Sequence, residues 1–557
     1  MRKVITAAEM REVDRLTTER YALPSLLLME TAARAAVRAV AARLEHRLAG
    51  RRALVLCGRG NNGGDGAALA RQLWLVGARV EVLLFGRVAD ARGDARTNFE
   101  TARRLAGTRP NDGATSADLA WREDAQAAEW ADLAGRLDDY DIIVDALFGT
   151  GLTRPLTGLF GQVVSDLTRV RERRDEAQIC PLVVSLDLPS GLDADSAVLI
   201  GDTVAADLTV TFTAPKPANV LPPAAHRNGQ LVIADIGSPA ALLAETGSQL
   251  FLAEAPDARA WLTLTRYAPD SYKNTHGHAL VIAGSRHMTG APVLACDAAM
   301  RAGAGLVTVA TPDSAHAAVA ARVMPEVMTA TLAETAQGAV SAAALAAAQR
   351  LTERAHVVAL GPGLTADDEE TRGFVRAYVE QRTTPVVVDA DGLNALAPWP
   401  AELRGTSEHP LVLTPHVGEM RRLLGRNEKA ALTDRVQAAR AFAVAQQLIV
   451  VLKGARTIIA APDGRVVVNP TGNAGLGTAG AGDTLTGIIT GCLAQSYGTL
   501  KDKAGAFETV VAAVYLGGLA GDIAASERGM RTLVASDIRE HFGVAVRALD
   551  AAGEEPR

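Results

Sequence analysis

The sequence predicts an α/β protein of more than one domain, built on largely parallel sheets covered on both faces. Three observations predict it. The chain has 557 residues, more than a single hydrophobic core organises. Short apolar runs recur along it: Ala53–Cys57, Ile142–Val144, Leu182–Leu186, Val357–Leu360, Val386–Val388, Leu411–Leu413 and Leu448–Leu452. Each runs into a loop rich in Gly, Asp or Asn, and helical-period segments lie between them. Strands that alternate with helices in this way imply parallel sheets with buried faces.

Composition narrows the class. Hydrophobic residues are 48% and charged residues 22%, which reads as globular and soluble. A net charge of −6 argues against a general nucleic-acid surface. Cys57, Cys180, Cys296 and Cys492 are far apart with no CxxC pair, so reduced thiols in a cytoplasmic protein are expected rather than a disulfide or zinc framework. The opening MRKVITAAEMREVDR lacks a signal-peptide core. No stretch reaches membrane-span length without charge or glycine, so no membrane partner is expected.

In the first half, helices are predicted over Met10–Arg20 and Leu26–Leu44. The strand Ala53–Cys57 enters the loop Gly58–Gly66, and a helix Ala67–Val76 and the strand Val80–Phe85 follow. Strand, glycine loop, helix, strand is a Rossmann-like unit. Within the loop, Asn61, Asn62 and Asp65 add amide and carboxylate chemistry to Gly63 and Gly64. The alternative reading is an Asx-stabilised tight turn. Residues 90–135 are polar and helical without a motif. The strand ending in Asp145-Ala146-Leu147-Phe148 leads into a second glycine turn, Gly149-Thr150-Gly151-Leu152-Thr153-Arg154-Pro155. Leu182–Leu186 leads into Asp187-Leu188-Pro189-Ser190-Gly191. Three loops thus sit at C-terminal strand ends, where open α/β sheets bind ligands. Leu208–Phe212 and Leu231–Ile236 read as closing strands, with an irregular proline segment between them. Residues 237–262 carry no clear motif and hold the boundary, giving domains 1–240 and 263–550.

In the second half, Lys273 and Arg286 flank the strand His278–Ala283, and residues 331–355 are Ala-rich and helical. Strand ends then present Gly361-Pro362-Gly363, Asp389-Ala390-Asp391, Thr414-Pro415-His416-Val417-Gly418-Glu419 and Lys453-Gly454-Ala455-Arg456-Thr457. The stretch Asn473–Gly491 organises the rest. Glycines crowd between Gly472 and Gly482, and Asp483 opens the helical spacing Leu485, Ile488, Ile489, Cys492, Leu493. A glycine loop ending at a helix N-terminus suits an anion, through unpaired N–H groups and close backbone approach. Asp483 is either a helix cap or a base held beside a bound phosphate, and spacing alone does not choose.

Gly480-Ala481-Gly482-Asp483 resembles the anion-hole signature of ribokinase-like enzymes, and Asn473–Thr486 is closer still to their ADP/ATP-dependent NAD(P)H-hydrate dehydratases. With NNGGDG and the two further loops, the chain resembles the bifunctional NAD(P)H-hydrate repair family, an epimerase joined to a dehydratase. The resemblance runs over about Met10–Ile236 and Pro269–Phe542. It implies an N-terminal Rossmann-like three-layer domain and a C-terminal ribokinase-like α/β domain. It further implies that Asn61 to Asp65 and Gly149 to Pro155 hold the phosphates and ribose of a hydrated nicotinamide nucleotide. Asp187 would contact it as acid/base. Asn62, Asp145 and Ser190 would give oxygens to a potassium ion, and that hard-oxygen set suits an alkali cation better than zinc. In the second half, Ala291, Gly363, His416 and Asp483 would face the hydrate, with Asp483 the base. Lys453, Gly454, Ala455, Arg456, Thr457 and Gly482 would contact ADP or ATP, with Mg2+ on its phosphates. Bacterial two-domain relatives imply a preference for ADP, and a homo-oligomer is expected.

Two departures from the family pattern stand out. Thr31-Ala32-Ala33 replaces its Asn-Ala-Gly, which bears on helix packing. His287 replaces a glycine before Met288-Thr289-Gly290, which should stiffen that loop. Two other readings remain open on sequence. The C-terminal half would be an ordinary small-molecule kinase if its product kept the phosphate. The N-terminal half would be a ligand-binding module if it lacked activity.

Overall fold

The computed structural model describes residues 1–108, 118–173, 181–425, 432–499 and 505–551. It forms two compact units, Lys3–Ser248 and Gln249–Arg557 with Met1–Arg2.

The first unit is built on a seven-stranded sheet, and every neighbouring pair is parallel. The spatial order is Leu119–Glu123, Arg79–Leu84, Arg52–Cys57, Ile142–Ala146, Leu182–Leu186, Leu208–Phe212, Gln230–Ala234. Chain order reverses between Arg52–Cys57 and Ile142–Ala146. That is a topological switch point, and the crevice above its strand ends is where such sheets bind ligands. Central strands such as Leu182–Leu186 are buried along their whole length. Both faces carry apolar clusters, one with Val55, Leu69 and Phe99, the other with Leu54, Trp130 and Leu167. The segment expected to be polar and helical contains the edge strand Leu119–Glu123 between the helices Gly93–Leu105 and Ala127–Ala134. The helix Ser25–Arg43 buries Ala32 and Ala33, while Thr31 stays exposed and its hydroxyl donates to the Leu27 carbonyl at 2.8 Å. The departure from Asn-Ala-Gly is therefore absorbed by alanines that pack against the sheet.

Ten strands among the described residues of the second unit form one sheet. Seven strands form a parallel block in the order Ile449–Leu452, Leu411–Leu413, Val386–Val388, Val357–Leu360, His278–Ile282, Leu306–Pro312, Met328–Leu332. Here the order reverses between His278–Ile282 and Val357–Leu360. An antiparallel extension, Ile458–Ala460 and Val466–Val468, continues the other edge, and Leu250–Leu252 joins it in parallel. That last strand comes from the stretch that showed no motif. Residues 331–355 are not one helix: the strand Met328–Leu332, a bridge between Glu334 and Val340, and the helix Leu345–Thr352 share them. Alanine gave helical propensity, and the β-branched Thr329 and Thr331 beside a parallel neighbour overrode it.

The helix Ala481–Thr499 packs on the helix Gly290–Arg301. A Cβ at Gly487 would lie 2.1 Å from the Ala295 carbonyl oxygen, and one at Gly491 2.5 Å from that of Ala299. Glycines one turn apart therefore let the two backbones touch. The helix Ala506–Arg528 is long and apolar enough by composition to cross a membrane. Most of its apolar stretch is buried, and Phe507, Val510 and Leu516 lie in the core. Cys57, Cys296 and Cys492 are free and buried, and Cys180 lies outside the described residues.

Candidate active sites

The first site opens at the switch point of the seven-stranded sheet. The Gly58 N–H donates to the Ala146 carbonyl at 3.0 Å, and a Cβ there would lie 2.0 Å from the Leu147 carbonyl oxygen. Only glycine passes this point. The chain then enters a helix at Asn61, six residues earlier than the sequence suggested, and NNGGDG forms its first turns. The reason is contact rather than turn geometry. None of Gly63, Gly64 and Gly66 has a positive φ, and a Cβ would lie 1.8 Å from the Gly58 oxygen, 2.7 Å from the Ala95 Cα and 2.6 Å from the Ala146 Cβ respectively. Bare backbone lets the helix press onto the strand ends and aims its free N–H groups at the crevice.

A cavity of about 640 Å3 lies above, lined by Asn61, Asn62, Asp65, Gly149, Thr150, Gly151, Leu152 and Asp187. Gly63 and Gly64 are buried beneath it, and Thr153, Arg154 and Pro155 continue the second loop away from the lining residues. Asp145 is fully buried. Its Oδ2 accepts from the Ser185 hydroxyl and the Ser190 N–H, both at 2.8 Å, and its Oδ1 accepts from the Ser190 hydroxyl at 2.5 Å. Burial raises this carboxyl, and the serine bonds oppose the rise. Asn62 differs: both atoms of its buried amide lack a hydrogen-bond partner among the described residues. The structure thus joins Asp145 to Ser190 directly and leaves Asn62 as the polar group with unmet demand.

Asp187 ends its strand with φ +64°, a left-handed conformation that costs about 1–3 kcal/mol for a non-glycine residue and clusters at functional sites. Its Oδ1 accepts from Lys216 Nζ at 2.6 Å and from Thr211 Oγ1 at 3.0 Å, and its carbonyl accepts from Asn219 Nδ2 at 3.2 Å. Lys216, 1% exposed, was hidden in the proline segment. Asp14, from the helix Ala7–Tyr21, also lines the cavity and was not singled out. The one signal for Lys216 was a lysine held between Pro215 and Pro217 in an otherwise apolar neighbourhood. Asp65 is pushed well above the usual carboxylate range by burial, then by the charges of Asp187 and Asp14.

In the second unit, Asp483 is the third residue of the helix Ala481–Thr499, which follows Gly480 at φ +83°. Burial, then the charges of Asp389, Asp391 and Glu419, push its carboxyl to about 6, with Lys453 opposing. Lys453 Nζ lies 2.7 Å from Asp389 Oδ1 and 3.3 Å from where a Cβ on Gly482 would stand. Asp389 Oδ2 accepts from Thr486 Oγ1 at 2.7 Å. Burial raises Asp389, but the Lys453 ammonium and the hydroxyl bonds outweigh it and hold it below its ordinary value.

His416 caps the helix Val417–Leu423. Its Nδ1 accepts from the N–H groups of Gly418 at 2.9 Å and Glu419 at 3.3 Å, while Glu419 accepts from the His416 N–H at 2.7 Å. Those donors place the ring proton on Nε2. Burial, then Lys453 and Arg422, lower the His416 pKa, so the ring stays neutral. A backbone bridge joins His416 to Lys453. Gly363, with φ +67°, sits against Met288 and Ala291: a Cβ there would be 3.0 Å from Met288 Cβ and 3.3 Å from Ala291 Cβ. In the next loop, Arg435 Nη1 donates to the Ala455 carbonyl at 3.1 Å, and Thr457 Oγ1 donates to the Gly454 carbonyl at 3.2 Å. Arg456 Nη1 donates to the Pro470 carbonyl at 3.4 Å. The glycine loop itself is tied down by Asp522, which accepts from the Gly472 N–H and from Asn473 Nδ2, each at 2.9 Å. Sequence reasoning quoted Asp389 only as a strand end and passed over Thr486 and Asp522. Among the described residues, no cluster of three or more His, Cys, Asp and Glu is placed to hold a metal ion.

Comparison with known proteins agrees with this division. Residues 279–542 match the family described as NAD(P)H-hydrate dehydratase, and residues 25–218 match the YjeF-related protein N-terminus. The ADP/ATP-dependent NAD(P)H-hydrate dehydratase of Bacillus subtilis, co-crystallised with ATP and Mg2+, is 31% identical with a TM-score of 0.46, covering 54% of this chain and 98% of that one. The bifunctional NAD(P)H-hydrate repair enzyme of Escherichia coli is 32% identical, covering 87% of this chain and 83% of its own. That of Moorella thermoacetica is 40% identical over 547 residues, which are 98% of this chain and 97% of its own. With such identity along nearly its whole length, the chain belongs to the bifunctional NAD(P)H-hydrate repair enzyme family.

Proposed function

We propose that the C-terminal unit dehydrates the S hydrate of NADH or NADPH at the expense of ADP or ATP, and that the N-terminal unit interconverts the R and S hydrates. The observation that carries the first half is Asp483: a carboxyl at a helix N-terminus, poised near neutrality at about 6, beside the Lys453–Asp389 pair. A base works best when its pKa lies near the operating pH.

The hydrate bears a hydroxyl on the ring carbon next to nitrogen, and hydroxide leaves poorly. Asp483 takes the hydroxyl proton, and the oxygen attacks the terminal phosphorus of the nucleotide as the bond to the leaving nucleotide oxygen breaks. Backbone N–H groups from Gly480 to Asp483 face the charge that develops. The ring nitrogen's electron pair then expels phosphate, and the nicotinamide ring is restored after loss of a proton. Lys453 to Thr457 and Gly482 hold the adenine nucleotide, and Ala291, Gly363 and His416 hold the hydrate. Magnesium would come with the nucleotide, held by its phosphates, and would offset their charge.

In the N-terminal unit, Asp187 moves the proton. Asn62, Asp145 and Ser190 would hold a potassium ion, which would offset substrate phosphate charge. The unpartnered Asn62 amide and an all-oxygen donor set fit such an ion.

The test is recovery of reduced-nicotinamide absorbance from pure R and pure S hydrates. With ADP, both should be repaired. Without ADP, R and S should only interconvert. Repair of S but not R would leave the N-terminal unit a binding module, and a phosphorylated product would make the C-terminal unit a kinase.

A further inference from the structure

The N-terminal cavity holds more acid than its one buried cation can pair. Asp14, Asp65 and Asp187 all line it, with Lys216. The ammonium is committed to Asp187 Oδ1 and is further held by Thr211 Oγ1 at 3.1 Å and the Phe212 carbonyl at 3.4 Å. Asp14 Oδ1 is buried with no partner among the described residues. A carboxylate oxygen without a partner is costly in such a place, so the group keeps its proton to a higher pH than an exposed aspartate does. A protonated carboxyl and a paired carboxylate facing one cavity make an acid and a base.

We propose that Asp14 is the proton donor of the epimerase site, sharing its cavity with the base Asp187. This rests on the epimerase reading of that unit. Epimerisation at a carbon bearing hydroxyl beside nitrogen can run by the hydroxyl leaving and water returning on the other face, the route an acid and a base in one cavity serve. The Asp14 carboxyl gives its proton to the hydroxyl, the carbon–oxygen bond breaks, and water departs as the ring nitrogen's pair forms a carbon–nitrogen double bond. Asp187 then takes a proton from a water that adds to the opposite face, and the double-bond electrons return to nitrogen. Asp14 is left as carboxylate and Asp187 as carboxyl, and exchange with solvent resets them. Burial, then Asp187, push Asp14 to about 6 with Lys216 opposing, a value that lets it cycle near neutrality. The remaining charged groups lining the cavity are Arg11, Arg59 and Asp94.

The test uses the full chain without ADP, following pure R hydrate to S by chromatography across pH. Asp14→Asn should lower epimerisation kcat about 10²-fold or more while KM moves little. The wild-type rate should fall as pH rises through about 6, where the donor loses its proton, and the variant should lack that limb. Asp14→Glu should restore part of the rate. Thermal melting of each variant at the wild-type temperature reports an intact N-terminal unit. Wild-type kcat in Asp14→Asn, or an unchanged pH limb, overturns the assignment of Asp14 alone. A wild-type chain that interconverts nothing overturns the epimerase reading, and Asp14 with it.

Discussion

Lys453 Nζ stands 2.7 Å from Asp389 Oδ1, so the lysine expected to meet a nucleotide is the half-buried partner of a fully buried carboxylate. Removing one partner of such a pair costs about 3–5 kcal/mol because the other charge stays buried alone. Lys453→Ala should therefore lower the melting temperature and also raise the half-saturating ADP concentration more than that of the hydrate. Calorimetric titration separates the two effects. An unchanged ADP affinity would make the lysine purely structural.

Asp483→Asn should keep fold and nucleotide binding and lose about 10²-fold or more in dehydration rate. As a base, Asp483 works only when ionised, so the wild-type rate should drop as pH falls through about 6. The sign for stability is opposite: its folded value is raised, so the stability present at low pH is lost as pH climbs from the ordinary 3.8 to about 6. The asparagine variant should show neither limb, in kinetics or in melting curves.

Asp187→Ala should abolish R-to-S conversion and leave S-specific dehydration in the full chain intact. Assaying pure S hydrate with ADP against pure R hydrate without it checks both halves in one preparation. Loss of both activities would mean that the substitution damages folding instead.

Gly63→Ala should be strongly destabilising, because its Cβ would lie 1.8 Å from the Gly58 carbonyl oxygen, a backbone atom with nowhere to go. The helix would have to lift off the strand ends. Wild-type melting and epimerisation in this variant would contradict the close-approach account of NNGGDG.

A fragment ending at residue 240 should be less stable than one ending at 248. The segment between them forms the helix Ala240–Glu245, whose Leu242 is 1% exposed against Ile5, Met10 and Val13. Its carbonyls also accept from Lys3 Nζ, Ala244 at 3.0 Å and Thr246 at 2.7 Å. Burying one leucine contributes about 1.5–3 kcal/mol, and thermal melts of the two fragments should differ by a matching amount.

The parallel cores were legible because Val386–Val388 or Leu182–Leu186 are continuous apolar runs closed by Asp or Gly. The edge strand Leu119–Glu123 was not, because LAWRE lacks an apolar run and its strand character comes from pairing with Arg79–Leu84. The short strands Ile458–Ala460 and Val466–Val468 take their meaning from each other across a turn. Among site residues, Asn62, Asp187 and Asp483 stood at strand ends or a glycine loop and could be read directly. Lys216 and Asp14 could not, since nothing local marks them. Only the fold brings a proline-flanked lysine and an N-terminal helix to the same cavity.

The glycine-mediated contact between Ala481–Thr499 and Gly290–Arg301 has a mechanical consequence. One helix carries Asp483, the other Ala291, and with carbonyls lodged where Cβ atoms would be, neither slides without a steric clash. Asp483 and Ala291 therefore move together, as parts of a single stiff plate. Any opening beside Asp483 falls instead to the strand-end loops bearing His416 and Lys453.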